Sequence, residues 1–374
     1  MTLFSPTDQR KRTAADILLY GCKDLGFAPH GEYWKQIKKI SVVELLNHQR
    51  VQSFQFVREE EVEVVIDKIR NVCLKGESIN LTETLALVSN NIISRCVLSQ
   101  KSEEDDDGKC NKLWSLSKRL MVIFTSFCFG DMFPYLGNKK DIISIIFQLQ
   151  KDGMLDMDLT QDNIKAILLD MFLAGIDSSA STVEWTMAEL LKHPTAMKKL
   201  QEEVRNVVGN KPTVEMEDIN KMSCLKCVFK ETLRLHPVAP LLLPRHTSAT
   251  VKVGGYDIPS NTTVLINAWA IQREPKWWEK PEEFIPERFE NNPINFIGED
   301  FQFIPFGVGR SSCPGLQFGV ASVEYMIANL VYCFDWKLAD GATADNLDMT
   351  EPYGKAVYRK SPLHVRPLAR FRTL

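Results

Sequence analysis

The feature that most constrains this chain is one cysteine held between glycines, directly before a helix-forming segment. Residues 306–315 read Phe-Gly-Val-Gly-Arg-Ser-Ser-Cys-Pro-Gly, and residues 316–333 carry an amphipathic pattern. Gly309 and Gly315 permit a tight turn, so that backbone can approach a flat ligand. The helix start behind the sulfur favours a thiolate, because its N–H groups carry partial positive charge. The window predicts that Cys313 is a metal-binding thiolate, against the alternative of a buried, inert cysteine.

Composition limits the class of protein. The chain has 374 residues, of which 44% are hydrophobic and 25% charged, with a formal net charge of −3. This length suits one large domain or two smaller ones, and the charge gives no basis for binding nucleic acid. The nine cysteines are scattered without a disulfide framework, so reduced thiols are expected. Cys224 and Cys227 have the spacing of a redox or zinc pair, but we interpret them as neighbours on a helix.

Apolar periodicity predicts a mainly α chain with a small β part (α+β). Helices are expected over 57–74, 80–98, 113–125, 141–150, 161–192, 222–235 and 316–333. Thr160 is the expected N-cap of the longest of these helices, and His193-Pro194 is its expected end. Residues 249–258 alternate around a Gly-Gly turn and predict a β-hairpin, followed by a strand over 263–267. No apolar run approaches the roughly 18 residues of a membrane span, so no anchor is predicted.

Two further motifs place polar side chains at helical spacing. Glu231 and Arg234 lie three residues apart, and Arg288 is a candidate third partner within Pro-Glu-Arg-Phe. Taken alone, such a pair is usually a surface salt bridge of little energetic consequence. Residues 174–179 read Ala-Gly-Ile-Asp-Ser-Ser and combine small residues with a carboxylate and two hydroxyls. That pattern fits either tight helix packing or close approach of a flat ligand.

The order and spacing of these motifs resemble the cytochrome P450 family. Residues 174–179 resemble its A-G-x-D-T-T motif, the Glu231/Arg234 pair its E-x-x-R motif, and residues 306–315 its haem-binding loop. The resemblance covers nearly the whole chain and implies a single cytochrome P450 domain over residues 1–374, incomplete relative to the family. Residues 27–34 and 284–289 are similar in style to plant A-type microsomal enzymes of specialised metabolism.

The resemblance implies a site built around haem b. Cys313 would be the protein ligand of the iron, while Asp177 and Ser178 would relay protons. Glu231, Arg234 and Arg288 would form a buried structural network behind the haem. The residues implied in contact with the haem itself are Trp34, Lys38, Arg245, Phe306, Gly309 and Gly315. Residues 171–176, 238–243 and 354–357 would line an apolar substrate pocket.

The activity implied is that of an oxidoreductase, a haem-thiolate monooxygenase. It would use O₂ to hydroxylate a lipophilic small molecule, such as a terpenoid, a phenolic or an alkaloid precursor. Electrons would come from NADPH through NADPH–cytochrome P450 reductase, docked on the side of Cys313. The resemblance also implies that the protein lies on the cytoplasmic face of the endoplasmic reticulum membrane. Two alternatives stay open: a non-catalytic fragment that at most binds haem, and a haem-thiolate isomerase or dehydratase.

Three departures from the family pattern carry expectations of their own. The chain opens close to what would be the second or third helix, without the amino-terminal anchor region. Gly137 runs directly into Asn138, where relatives place two or more helices that roof the pocket, so poor turnover is expected. Ser311 stands where the family has arginine, and Arg310 lies one residue earlier. The third departure predicts the loss of one haem-propionate hydrogen bond, about 1.5–3 kcal/mol.

Overall fold

A computed structural model describes residues 19–99, 141–155, 157–260, 262–351 and 359–370, together with the backbone of the strand Phe4–Ser5. The predicted helix over 113–125, the Gly137/Asn138 junction and the pocket segment 354–357 lie outside these residues. Within them, the fold class predicted from the sequence, mainly α with a small β part, is confirmed.

The elements follow in chain order. The described helices are α1 (Glu32–Lys39), α2 (His48–Ser53), α3 (Gln55–Lys75), α4 (Leu81–Leu98), α5 (Ile142–Lys151), α6 (Gln161–Lys192), α7 (Pro194–Val208), α8 (Met216–Ile219), α9 (Ser223–Leu235), α10 (Ala268–Ile271) and α11 (Leu316–Cys333). The described strands are β1 (Phe4–Ser5), β2 (Ile79–Asn80), β3 (Arg245–Thr247), β4 (Val251–Val253), β5 (Tyr256–Ile258), β6 (Thr263–Val264), β7 (Phe334–Leu338) and β8 (His364–Ala369). A π-helical segment, Ile40–Leu45, continues α1.

Most predicted bounds agree with these elements to within two residues. The strand predicted over 263–267 is shorter and ends at Val264. Helix α7 was not predicted, although Pro194 occupies its first turn. A proline is tolerated there because the first helical N–H groups have no partner within the helix.

Helix α6 is the longest element and has the expected ends. Thr160 Oγ1 accepts a hydrogen bond from Asn163 N at 3.3 Å, and Asn163 Oδ1 accepts one from Thr160 N at 2.8 Å. This reciprocal pair satisfies two backbone donors at the helix start. Against the sequence expectation, α6 is long and apolar enough by composition to cross a membrane. Most of its apolar stretch is buried inside the protein, as in the core helix of a globular fold.

The chain divides into two compact units, and the division falls within α6, between Ile176 and Asp177. The first unit comprises Met1–Val57, Ser89–Ile176 and Arg245–Val264. It holds the antiparallel sheet β1-β3-β6 and the predicted hairpin of β4 and β5. Gly254 and Gly255 have φ of 57° and 89°, which suits the tight two-residue turn.

The second unit comprises Arg58–Val88, Asp177–Pro244 and Leu265–Leu374. It holds the antiparallel sheet β2-β8-β7. Helix α11 forms much of its core, since every residue from Ser322 to Cys333 is buried. This core supports the cysteine loop, which immediately precedes α11.

Candidate functional site

The cysteine loop is a tight turn that leaves the thiol of Cys313 exposed. Gly307 and Gly309 adopt left-handed φ values of 72° and 67°, which residues with a side chain rarely adopt. Cys313 N donates to Phe306 O at 2.8 Å and closes the loop. A 3-10 turn, Gly309–Ser311, lies between these two residues. The loop therefore fixes the backbone around Cys313 while its sulfur stays accessible.

Helix α11 begins immediately after the thiol. Gly315 is its N-cap residue, and a Cβ atom at Gly315 would lie 3.9 Å from the sulfur of Cys313. The absence of that atom leaves room beside the sulfur, and the helix N-terminus stabilises a thiolate. An accessible thiol with these neighbours fits a residue that would bind the iron of a haem.

The E-x-x-R pair is a buried, bidentate ion pair in the second unit. Arg234 Nε donates to Glu231 Oε2 at 2.8 Å, and Arg234 Nη2 donates to Glu231 Oε1 at 2.9 Å. Neither side chain is exposed to solvent. The sequence alternative of a surface salt bridge is therefore wrong for this pair, because both charges are removed from water.

Arg288 completes the network expected from the sequence. Its Nε donates to Glu231 Oε1 at 3.0 Å, and Ile285 N donates to the same oxygen at 2.8 Å. Arg234 also donates to the carbonyls of Gln272, Pro281 and Glu283. One carboxylate thus holds two guanidinium groups, which together bind the backbone of the irregular stretch before the cysteine loop.

Gln272 also belongs to this network, although no sequence motif includes it. Its Nε2 donates to Leu233 O at 2.9 Å and to Arg234 O at 3.1 Å, while its Oε1 accepts from Ile304 N at 3.0 Å. Gln272 is fully buried and directly follows α10. It connects the end of α9 to the backbone just before the cysteine loop.

The motif of residues 174–179 lies on α6 and is divided between the two units. Asp177 is exposed and Ser178 is half-buried. Thr182 Oγ1 donates to Ser178 O at 2.8 Å, which is the i−4 bond that bends helices. A Cβ atom at Gly175 would lie 2.8 Å from Ile93 Cδ1, so the small residue serves tight packing against α4. At Gly175, the packing alternative describes the structure better than the approach of a flat ligand.

The first unit holds Trp34, Lys38 and Arg245, for which the resemblance implies contacts with the haem. Trp34 is buried, and its indole Nε1 donates to Leu25 O at 3.0 Å. A haem contact of Trp34 stays a prediction. Lys38 is half-buried near the end of α1. Arg245 in β3 is half-buried, and desolvation lowers its pKa. No carboxylate among the described residues pairs with it, which fits a site for a bound anion.

The remaining cysteine expectation concerns Cys224 and Cys227. Both lie on α9, and desolvation raises the pKa of the Cys224 thiol to about 12. Neither joins a cluster of metal-ligating side chains in the described part of the chain. Their place on one helix agrees with the interpretation as helical neighbours.

Comparison with known proteins identifies the family. The cytochrome P450 family model matches residues 4–140 and 137–365. The chain belongs to the cytochrome P450 family. The resemblance found in the sequence is thereby confirmed, and the family makes the chain an oxidoreductase.

Several plant cytochromes P450 are close relatives. The chain is 48% identical to phenylacetaldehyde oxime monooxygenase CYP71AN24 of Prunus mume, over 95% of this chain and 75% of that one. It is 44% identical to cytochrome P450 71A1 of Persea americana, over 94% of this chain and 78% of that one. A zebrafish cytochrome P450 solved with abiraterone shares the fold, with a TM-score of 0.83 at 24% identity, covering 98% of this chain and 88% of that one.

The comparisons also bear on the junction at Gly137/Asn138. The two matches to the family model meet at residues 137–140. The alignment with the Prunus mume enzyme extends over 398 positions, more than the 374 residues of the chain. The relative therefore carries residues within the aligned region that this chain lacks.

Proposed function

We propose that this cytochrome P450 is a haem-thiolate monooxygenase of plant specialised metabolism. The observation that carries the proposal is the accessible thiol of Cys313, held in a glycine turn at the N-terminus of α11. Haem b supplies the site for O₂ binding and reduction. One oxygen atom enters the substrate and the other leaves as water, with two electrons from NADPH through a reductase and two protons from solvent.

The chain's own residues have separable tasks in this proposal. Cys313 Sγ would bind the iron, while the Glu231 network holds the backbone leading into its loop. Asp177, exposed on α6, would exchange protons between its carboxylate and solvent, and the hydroxyl of Ser178 would pass them on toward the haem side of the helix. Thr182 Oγ1 donates to the carbonyl of Ser178, a bond that would fix the backbone beside this hydroxyl. Arg245, with Lys38, neutralises the haem propionates.

The proposed substrate is a lipophilic small molecule. Relatives at 48%, 42% and 39% identity are named phenylacetaldehyde oxime monooxygenase, desmethylyatein synthase and costunolide synthase. A location on the endoplasmic reticulum membrane and docking of NADPH–cytochrome P450 reductase belong to the same proposal.

A ferrous–CO spectrum of the purified chain tests the proposal directly. Thiolate ligation should give the red-shifted band, and Cys313→Ala should abolish it. The matched variants Cys224→Ala and Cys227→Ala should leave it intact. A normal band in Cys313→Ala would exclude Cys313 as the ligand.

One observation favours a second function, a fragment that binds haem without turnover. The two family-model matches meet at residues 137–140, and the Prunus mume enzyme carries aligned residues that this chain lacks, which supports a pocket roof missing at the junction. NADPH-driven oxidation of phenylacetaldehyde oxime with a plant reductase separates the two functions. A CO band with background turnover supports the fragment, whereas efficient turnover shows that the missing residues are dispensable.

A further inference from the structure

Two carboxyl groups meet in the first unit. Asp24 lies in the turn that precedes α1, and Asp170 lies on α6 within hydrogen-bonding reach of it. Asp24 is fully buried and Asp170 is half-buried. We name these two residues the carboxyl pair. Neither residue belongs to a motif that the sequence analysis connects with the haem.

The carboxyl pair holds the backbone of residues 24–27. Leu25 N donates to Asp170 Oδ2 at 2.7 Å, and Phe27 N donates to Asp24 Oδ2 at 2.8 Å. In the part of the chain that the structure describes, no N–H or O–H group donates to Asp24 Oδ1, although this oxygen is buried. A buried acceptor without a donor is strongly unfavourable. The missing donor therefore has to come from the other carboxyl group in reach.

Two ionised carboxyl groups cannot bond each other, because a carboxylate only accepts hydrogen bonds. One proton turns either residue into a donor and removes the repulsion between two like charges. Desolvation favours this proton, since it raises the pKa of Asp24 above the usual 3.8. Desolvation and the charge of Asp24 also raise the pKa of Asp170 well above that value. The proton belongs to the pair, because the two groups titrate together.

The charged and titratable groups around the carboxyl pair have other partners. On α1, burial and the charges of the pair raise the pKa of Tyr33 to about 12, so its phenol stays neutral. Tyr33 OH donates to Lys23 O at 2.5 Å, while Lys23 Nζ donates to Asp162 Oδ2 on α6 at 3.1 Å. Lys165, also on α6, lies over the ring of Tyr20. A proton is thus what remains to join the two carboxyl groups.

We propose that the carboxyl pair is a positioning element in which one shared proton ties residues 24–27 to α6. These residues also hold Trp34, because Leu25 O accepts a hydrogen bond from Trp34 Nε1 at 3.0 Å. This second step rests on the proposed function, since a haem contact is implied for Trp34. As pH rises, the pair releases its proton to solvent and keeps two like charges, which loosens residues 24–27 and the indole bonded to them.

Infrared difference spectroscopy detects the shared proton through the carbonyl stretch of a protonated carboxyl group. The reference protein is Glu324→Gln at about pH 6, because burial raises the pKa of Glu324 to about 7 and a second band would result. Asp24→Asn and Asp170→Asn should each remove the band, since either change leaves one carboxylate bonded by an amide.

Asp162→Asn is the matched control for these variants. It makes the same chemical change on the same helix, at a side chain that is 47% exposed and paired with Lys23, and it should keep the band. A band that survives in either Asp24→Asn or Asp170→Asn, or that is absent from Glu324→Gln, would overturn the shared proton.

The pH dependence of unfolding supplies a second readout. A proton held more tightly in the folded chain stabilises it fully below about pH 3.8, and this contribution is lost as pH rises through the raised pKa of the pair. In urea unfolding, the folding equilibrium constant of the parent should fall at least about tenfold relative to that of Asp170→Asn between about pH 5 and about pH 9. Asp162→Asn should follow the parent, and Asp24→Asn replaces Asp170→Asn if the latter does not fold. A ratio that stays constant with pH would overturn the proposal.

Haem transfer to apo-myoglobin tests the effect on Trp34 in haem-loaded protein. Between about pH 6 and about pH 9, transfer from the parent should accelerate at least about threefold more than transfer from Asp170→Asn, whose amide needs no proton to bond Asp24. In Trp34→Phe, which has no indole N–H, adding Asp170→Asn should no longer change the pH dependence. Equal acceleration in the parent and Asp170→Asn would overturn the positioning of Trp34. Failure of the proposed function would appear separately, as absence of the CO band with the infrared result intact.

Discussion

Replacing Glu231 by glutamine tests the buried network that supports the cysteine loop. The substitution preserves volume but removes the negative charge that faces two guanidinium groups. Glu231 is fully buried and accepts from Arg234 Nε and Nη2, Arg288 Nε and Ile285 N at 2.8–3.0 Å. In the variant, the amide NH₂ group replaces one of the two carboxylate oxygens. Since both oxygens accept hydrogen bonds, this NH₂ group must face an N–H donor instead of an acceptor.

The expected cost is that of a broken buried ion pair, about 3–5 kcal/mol in the free energy of unfolding. Glu282→Gln is the matched control, because Glu282 accepts from Arg273 Nε at 3.1 Å with a side chain that is 69% exposed. Arg273 is itself buried, with a side chain 7% exposed, but the carboxylate of Glu282 stays in water, so its loss should cost only about 0.2–1 kcal/mol, as in an exposed pair. The two variants have the same chemical change and differ mainly in burial.

Urea unfolding followed by far-UV circular dichroism and tryptophan fluorescence measures both variants. The urea concentration at the unfolding midpoint should be well below that of the parent for Glu231→Gln, with an unchanged dependence of the free energy on urea. For Glu282→Gln, the midpoint should stay close to that of the parent. If the two variants lie within about 1 kcal/mol of each other, the buried network contributes no more than a surface pair, and the reasoning fails.

Three further predictions follow from single positions. Ser311→Arg should slow haem transfer to apo-myoglobin about tenfold if a propionate lacks a forked donor, and an unchanged rate would show the site already filled. Gly319→Ala should stabilise α11 by about 0.5–1 kcal/mol in urea unfolding, since nothing lies within 4 Å of the added methyl. Gly175→Ala should show no such gain, because its Cβ would lie 2.8 Å from Ile93 Cδ1, and equal gains would contradict the packing argument. Burial raises the pKa of Glu324 from 4.5 to about 7. Its neutral form therefore stabilises the fold below about pH 4.5, and this contribution is lost as pH rises through about 7. Glu324→Gln should be about 3 kcal/mol more stable than the parent at pH 8 but equal to it at pH 4, and a pH-independent difference would refute the assignment.

Local features of the chain were predictable from the sequence alone. The bounds of α6 and α11 follow from apolar periodicity, and those of α6 also from the N-cap Thr160 and the helix-ending Pro194. These signals can be read from the sequence because helix formation and capping depend on neighbours within four residues. The glycine turn around Cys313 was predictable for the same reason, because a tight turn depends on the residues next to it in the sequence. Glu231, Arg234 and Arg288 were placed together by resemblance to the family, since spacing alone favoured a surface pair.

Tertiary structure decided which side chains meet across long stretches of sequence. Gln272 binds the end of α9 and the backbone of Ile304, and His236 joins Glu189 to Glu351. Neither residue stands out in the sequence, because a buried polar group is identified by partners that the fold brings to it. Gly175 shows that sequence alone cannot decide such contacts, because a small residue in the motif of residues 174–179 suits both the approach of a flat ligand and tight helix packing. Only the position of Ile93 on a separate helix decides between them, since close packing depends on which surfaces the fold brings into contact.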